Sequence, residues 1–187
     1  MKNVSSRAIN ATILASALAA FSHGSYAQDG PFLAKYGLDH KTTPQMVEYI
    51  NRLKQDRPLT FSASVTSTDL TVSEGGEAHS YPLGDKFYLS FAPYITYTHP
   101  CYNHSLSSCT GELKNTTFKV KIIDQKGHVI ASKNMTSYQN GFIGVWLPRN
   151  ISGTVQVTHQ GLSASTPFAT DDDSQTCLTN LKLEKTL

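Results

Sequence analysis

The residues able to do chemistry crowd into one stretch, Thr98-His99-Pro100-Cys101-Tyr102-Asn103-His104-Ser105-Leu106-Ser107-Ser108-Cys109-Thr110-Gly111-Glu112. It holds Cys101 and Cys109, two of the three cysteines, together with His99 and His104; Cys177 lies far off near the C-terminus. Thiolates and imidazoles form a soft donor set that suits copper(I). Zinc fits less well, because it favours four ligands and closer cysteine spacing. Met46 and Met135 are the only methionines beyond Met1, which excludes a methionine-rich copper site. Cys101 and Cys109 also suit a plain disulfide closing a short loop. On that reading the protein is an exported, disulfide-bonded binding module without metal. An odd cysteine count in an exported chain nevertheless assigns at least one thiol to another role.

Catalytic signatures fall short. There is no H-E-x-x-H motif, and Gly161-Leu162-Ser163-Ala164-Ser165 lacks the final glycine of a nucleophile elbow. Ser105 beside His104 has no identified acid and the wrong spacing for a triad. A thiol oxidoreductase would want a C-x-x-C motif within a βαβ pattern, and neither is present. Asp171-Asp172-Asp173, shortly before Cys177, reads as a solvated turn, or alternatively as a negative field that draws cations.

These groups belong to an exported chain. Lys2 and Arg7, a small apolar run from Ala8 to Phe21 and Ser25-Tyr26-Ala27 follow the order of a secretory signal peptide. The expected leader is 1–27, with Gln28 first in the mature protein. The apolar run is shorter than the roughly 20 residues of a membrane span. The 16 Lys+Arg and 14 Asp+Glu become 14 against 14 once Lys2 and Arg7 are removed. Neutrality argues against nucleic-acid and anionic-membrane partners.

Two kinds of element must position the cysteines. Residues 28–57 read as a small helical region. One helix is expected over 29–41, capped by Asp29 and ended by Gly37. A second is expected over 43–55, with Thr42 and Gln45 at capping-box spacing and Arg57-Pro58 as its stop. Met46, Val47, Ile50 and Leu53 make one apolar stripe, which must pack on the following domain or on a second copy of the chain. From Leu59 alternation replaces helical spacing. Strands are expected over 61–65, 69–73, 86–94, 117–124, 128–133, 142–147, 153–159, 162–168 and 176–183, with turn residues between them. Many short strands at even spacing predict an immunoglobulin-like antiparallel sandwich over 58–187, with Trp146 in its core.

Several segments are similar to the CueP family of periplasmic copper-binding proteins. They are residues 81–94 (YPLGDKFYLSFAPY), 98–101 (THPC), 109–113 (CTGEL), 135–138 (MTSY) and 140–154 (NGFIGVWLPRNISGT). The resemblance implies a mainly β domain carrying the copper site and a dimerising N-terminal region over 32–53. It implies Cys101, Cys109 and Cys177 as ligands and reductants of copper, with His104 and His99 as auxiliary ligands. It further implies copper resistance, reduction of copper(II) to copper(I), and supply of copper to a periplasmic copper,zinc superoxide dismutase.

Overall fold

The computed structural model describes residues 30–185. The expected leader, its cleavage point and the Asp29 cap lie outside them. Helix α1 spans Gly30–Lys35. It stops well short of residue 41: the Leu38 amide bonds Leu33 O at 2.9 Å and Gly37 turns at φ +66°. A left-handed residue costs glycine little, so the helix ends there. Helix α2 spans Thr43–Arg52, and its start is secured by the Thr42 amide donating to Gln45 Oε1 at 2.9 Å. Past its end the Arg57 guanidinium gathers the carbonyls of Ile50 (3.1 Å) and Gln55 (2.6 Å), which satisfies groups a helix terminus leaves open.

Twelve strands follow: β1 Ser62–Val65, β2 Asp69–Glu74, β3 Glu77–Pro82, β4 Lys86–Tyr94, β5 His104–Ser105, β6 Thr117–Asp124, β7 Val129–Thr136, β8 Ile143–Pro148, β9 Ser152–His159, β10 Leu162–Ala169, β11 Cys177–Lys182 and β12 Glu184–Lys185. They form three sheets, ordered β3-β2-β1-β5, β12-β10-β9-β6-β7 and β11-β4-β8. The fold is mainly β, with two short helices ahead of the strands, as the texture of the sequence implies. One pairing departs from the antiparallel expectation: β11 runs parallel to β4, with Cys177 opposite Ser90.

The five- and three-stranded sheets pack face to face. Phe87, Leu89 and Phe91 of β4 meet Phe118, Val120 and Ile122 of β6 in one core, closed by Val155, Val157, Leu178 and Leu181. The opposite face of β4 is also covered. Tyr88 joins a second core with Met46, Val47 and Ile50 of α2, Val65 of β1, Leu70 of β2 and Leu106. Met46, Val47 and Ile50 are fully buried, so the helical stripe finds its cover within the chain. Trp146 is half-buried rather than central. Its ring lies 4.8 Å from that of Tyr88, and its indole N–H donates to Glu48 Oε1 at 3.2 Å, where α2 crosses β8.

Candidate metal centre

After β4 the chain enters the cysteine loop, which is fastened on several sides. The Glu112 carboxylate accepts the amides of Ile95 (2.7 Å) and Thr96 (2.9 Å) at its start. Thr98 Oγ1 donates to Thr179 O of β11 at 2.8 Å. The Tyr102 carbonyl then accepts two amides, from Thr176 (2.9 Å) and Cys177 (3.1 Å). The next fastening runs through one side chain. Thr176 Oγ1 accepts the His104 amide at 3.0 Å and donates to Val65 O of β1 at 2.6 Å. β5 pairs with β1, His104 opposite Val65, and the Ser107 hydroxyl accepts the Ala63 amide at 3.0 Å. The Arg57 Nε–H donates to Leu106 O at 2.8 Å, tying the loop to the end of α2. Beyond Cys109, Gly111 lies against Gly141; a Cβ on Gly111 would stand 2.7 Å from Gly141 O. That close approach sets the Cys109 segment beside Phe142.

These fastenings bring four donor residues together. Cys101 and Cys177 are joined by a disulfide, and Cys109 is a free thiol with its Sγ 3.6 Å from Cys101 Sγ. His104 Nδ1 lies 3.8 Å from Cys177 Sγ. One ligand atom from each of Cys101, His104, Cys109 and Cys177 lies within 4.8 Å of all the others. The disulfide corrects the loop-closing bridge considered from sequence, which joined Cys101 to Cys109. The cause is backbone geometry: the bonds onto the Tyr102 carbonyl carry the start of β11 to Cys101, and Cys109 becomes the odd thiol. His99 stands outside the cluster. It is half-buried, its Nδ1 lies 3.1 Å from Pro100 O, and its ring centre is 6.3 Å from that of Phe142.

The surroundings are apolar on one side. Ala92, Phe142 and Cys177 form a small buried cluster on which Cys101 and Cys109 pack. The His104 ring is fully buried 4.4 Å from the Phe142 ring, and its Nε2 has no hydrogen-bond partner among the described residues. Burial, with the Arg57 guanidinium and His99 adding to it, pushes His104 down to about 3. The imidazole is therefore neutral at neutral pH, the form that ligates a metal. Burial pushes the Cys109 thiol up, so the free thiol keeps its proton until a metal displaces it. Soft sulfur donors with one neutral imidazole fit copper(I). By contrast, Asp171-Asp172-Asp173 is an exposed turn: the Asp171 amide bonds Ser174 Oγ at 3.0 Å, and Asp172 pairs with Arg149 at 3.2 Å. Sequence reasoning missed Thr176 and Phe142. Neither carries a signal in the chain, since a threonine just before one strand and a phenylalanine just before another are ordinary.

Fold and site together define a class: a β-sandwich protein with a sulfur-rich donor cluster at the junction of two sheets. A family model described as periplasmic copper-binding protein CueP matches residues 45–182. A solved structure entitled "Crystal Structure of S.CueP" is 58% identical, with a TM-score of 0.82, and the match covers 83% of this chain and 97% of that one. No curated protein matches the chain. The chain belongs to the CueP family of periplasmic copper-binding proteins. Among the described residues no helix is long and apolar enough to cross a membrane.

Proposed function

We propose that this protein is exported with cleavage after Ala27, captures copper in the periplasm and holds it as copper(I) on Cys101, Cys109 and Cys177. His104 supplies a fourth donor, and His99 serves as an auxiliary ligand on the way in. The observation that carries this reading is the convergence of three sulfurs and one neutral imidazole within 4.8 Å, drawn from residues as far apart as Cys101 and Cys177. The cysteines act as reductants. Two thiols closing to the Cys101–Cys177 disulfide give up two electrons and two protons, and the electrons convert two copper(II) ions to two copper(I) ions; an external dithiol, itself oxidised to a disulfide, then reopens the pair so that all three sulfurs hold copper(I). The copper(I) then passes by ligand exchange to periplasmic cuproenzymes such as copper,zinc superoxide dismutase, which contributes to copper resistance. Homodimerisation through 32–53 belongs to the same reading. With Met46, Val47 and Ile50 covered within the chain, it would use the other sides of the helices, where Tyr49 is exposed; light scattering on the mature protein tests it.

The disulfide favours one second reading, a purely structural crosslink with no metal. Anaerobic addition of copper(II) to the reduced protein separates the two. Electron balance requires two chelator-trapped copper(I) ions for each disulfide formed. Thiols that stay reduced, with no copper(I) trapped, would leave the structural crosslink standing and end the reductant reading.

A further inference from the structure

Copper(I) can be held by Cys101 and Cys177 only after their disulfide opens. The ligand cluster must then stay together without its covalent tie. Three segments meet there: the loop bearing Cys101 and His104, strand β1, and the start of β11 at Cys177. One hydroxyl joins all three. Thr176 is fully buried; its Oγ1 accepts the His104 amide and donates to Val65 O, while its own amide donates to Tyr102 O. Donor and acceptor roles of the hydroxyl are both in use, and buried polar groups so satisfied fix one arrangement.

We propose that Thr176 is the positioning residue that keeps Cys177 and His104 beside Cys101 and Cys109 when the Cys101–Cys177 disulfide is open. Removing its hydroxyl takes from the His104 amide and the Val65 carbonyl the partner that they share, which loosens the strand that carries Cys177 against the loop that carries the other ligands. With the hydroxyl in place, the reduced cluster has the ligand spacing of the oxidised one, and copper(I) enters a site already assembled.

Thr170 provides a matched control. It too is fully buried, and its hydroxyl accepts the Ile151 amide at 3.0 Å and donates to Ile151 O at 3.1 Å, a residue between β8 and β9 rather than one of the cysteine loop. The experiment equilibrates the full mature protein with glutathione. The protein disulfide plus two glutathione thiols gives the protein dithiol plus glutathione disulfide, and the equilibrium constant reports how closely the folded reduced chain holds its two thiols together. Thr176→Val should make the disulfide easier to reduce by about tenfold or more, Thr176→Ser should stay near wild type, and Thr170→Val should leave the constant unchanged. Equal effects of Thr176→Val and Thr170→Val, or a Thr176→Ser variant as affected as Thr176→Val, would overturn the proposal. If Thr176→Val does not fold, amide exchange on the reduced wild type decides: His104, Thr176 and Cys177 amides should remain protected, and their free exchange on reduction would overturn it. A last arm rests on the copper reading, namely a copper(I) affinity of reduced Thr176→Val lower by about tenfold or more while Thr170→Val matches wild type. If wild type itself binds no copper, that reading fails while the glutathione constant still judges Thr176.

Discussion

Cys109 and Cys177 have different tasks, and serine substitution separates them. Cys109→Ser leaves the Cys101–Cys177 disulfide in place, so the oxidised protein should melt near wild type while the reduced protein holds copper(I) more weakly. Cys177→Ser removes a proposed ligand and also a crosslink between residues 76 apart in sequence. Loop-closure entropy assigns such a crosslink about 4 kcal/mol, so this variant should lose both copper(I) and stability in thermal melts. Equal melting of the two oxidised variants would contradict the assignment. His104 supplies a pH dependence. The unfolded chain protonates it near its ordinary 6.5, the folded chain only near about 3. The stability gained by burying the neutral ring is complete above 6.5 and is lost as pH falls toward 3, by up to about 1.4 kcal/mol per pH unit. The charged and titratable groups that face it are Arg57, His99 and the three cysteines. Metal-free His104→Gln should therefore show a smaller fall in denaturation midpoint from pH 7 to pH 5 than wild type; identical falls would contradict the buried neutral ring.

At the level of elements, β4 is the hinge between two cores, and both of its faces are covered. Ile50 of α2 lies in the core that Tyr88 shares, so Ile50→Ala should cost about 2–5 kcal/mol in denaturant unfolding. A cost under about 1 kcal/mol, the level of exposed positions, would mean that the stripe does not pack as described. The helical stripe was readable because its apolar spacing and the Thr42/Gln45 cap agree with each other. β6 and β9 were readable from strict alternation. β3 was not: its exposed Glu77, Ala78 and Ser80 carry no alternating apolar signal, and it is held by hairpin bonds to β2. β5 is two residues long, and only its pairing with Ser64 and Val65 of β1 makes it a strand. The parallel partnership of β11 with β4 is equally silent in sequence, because it depends on which distant segment reaches the Tyr102 carbonyl. That one tertiary fact decided the disulfide. The residue types of the site were legible in the chain, and the pairing among them was not.

Across the whole molecule, two cores and three sheets serve to hold a small sulfur cluster at their junction, half-covered by Phe142 and Ala92 and open at Cys101 and Cys109. The family binds copper in the periplasm, a compartment where disulfides form readily. On the proposed reading the reduced cysteine cluster, and not the disulfide form, holds copper(I). The most direct measurement is competition for copper(I) against a chromogenic chelator under anaerobic conditions, run on the mature protein in its reduced and disulfide forms beside a variant with all three cysteines changed to serine. The reduced protein should win copper(I) from the chelator and develop thiolate-to-copper absorption, with the disulfide form weaker by about tenfold or more, or roughly 1.4 kcal/mol. A reduced protein that competes no better than the triple serine variant would contradict the account.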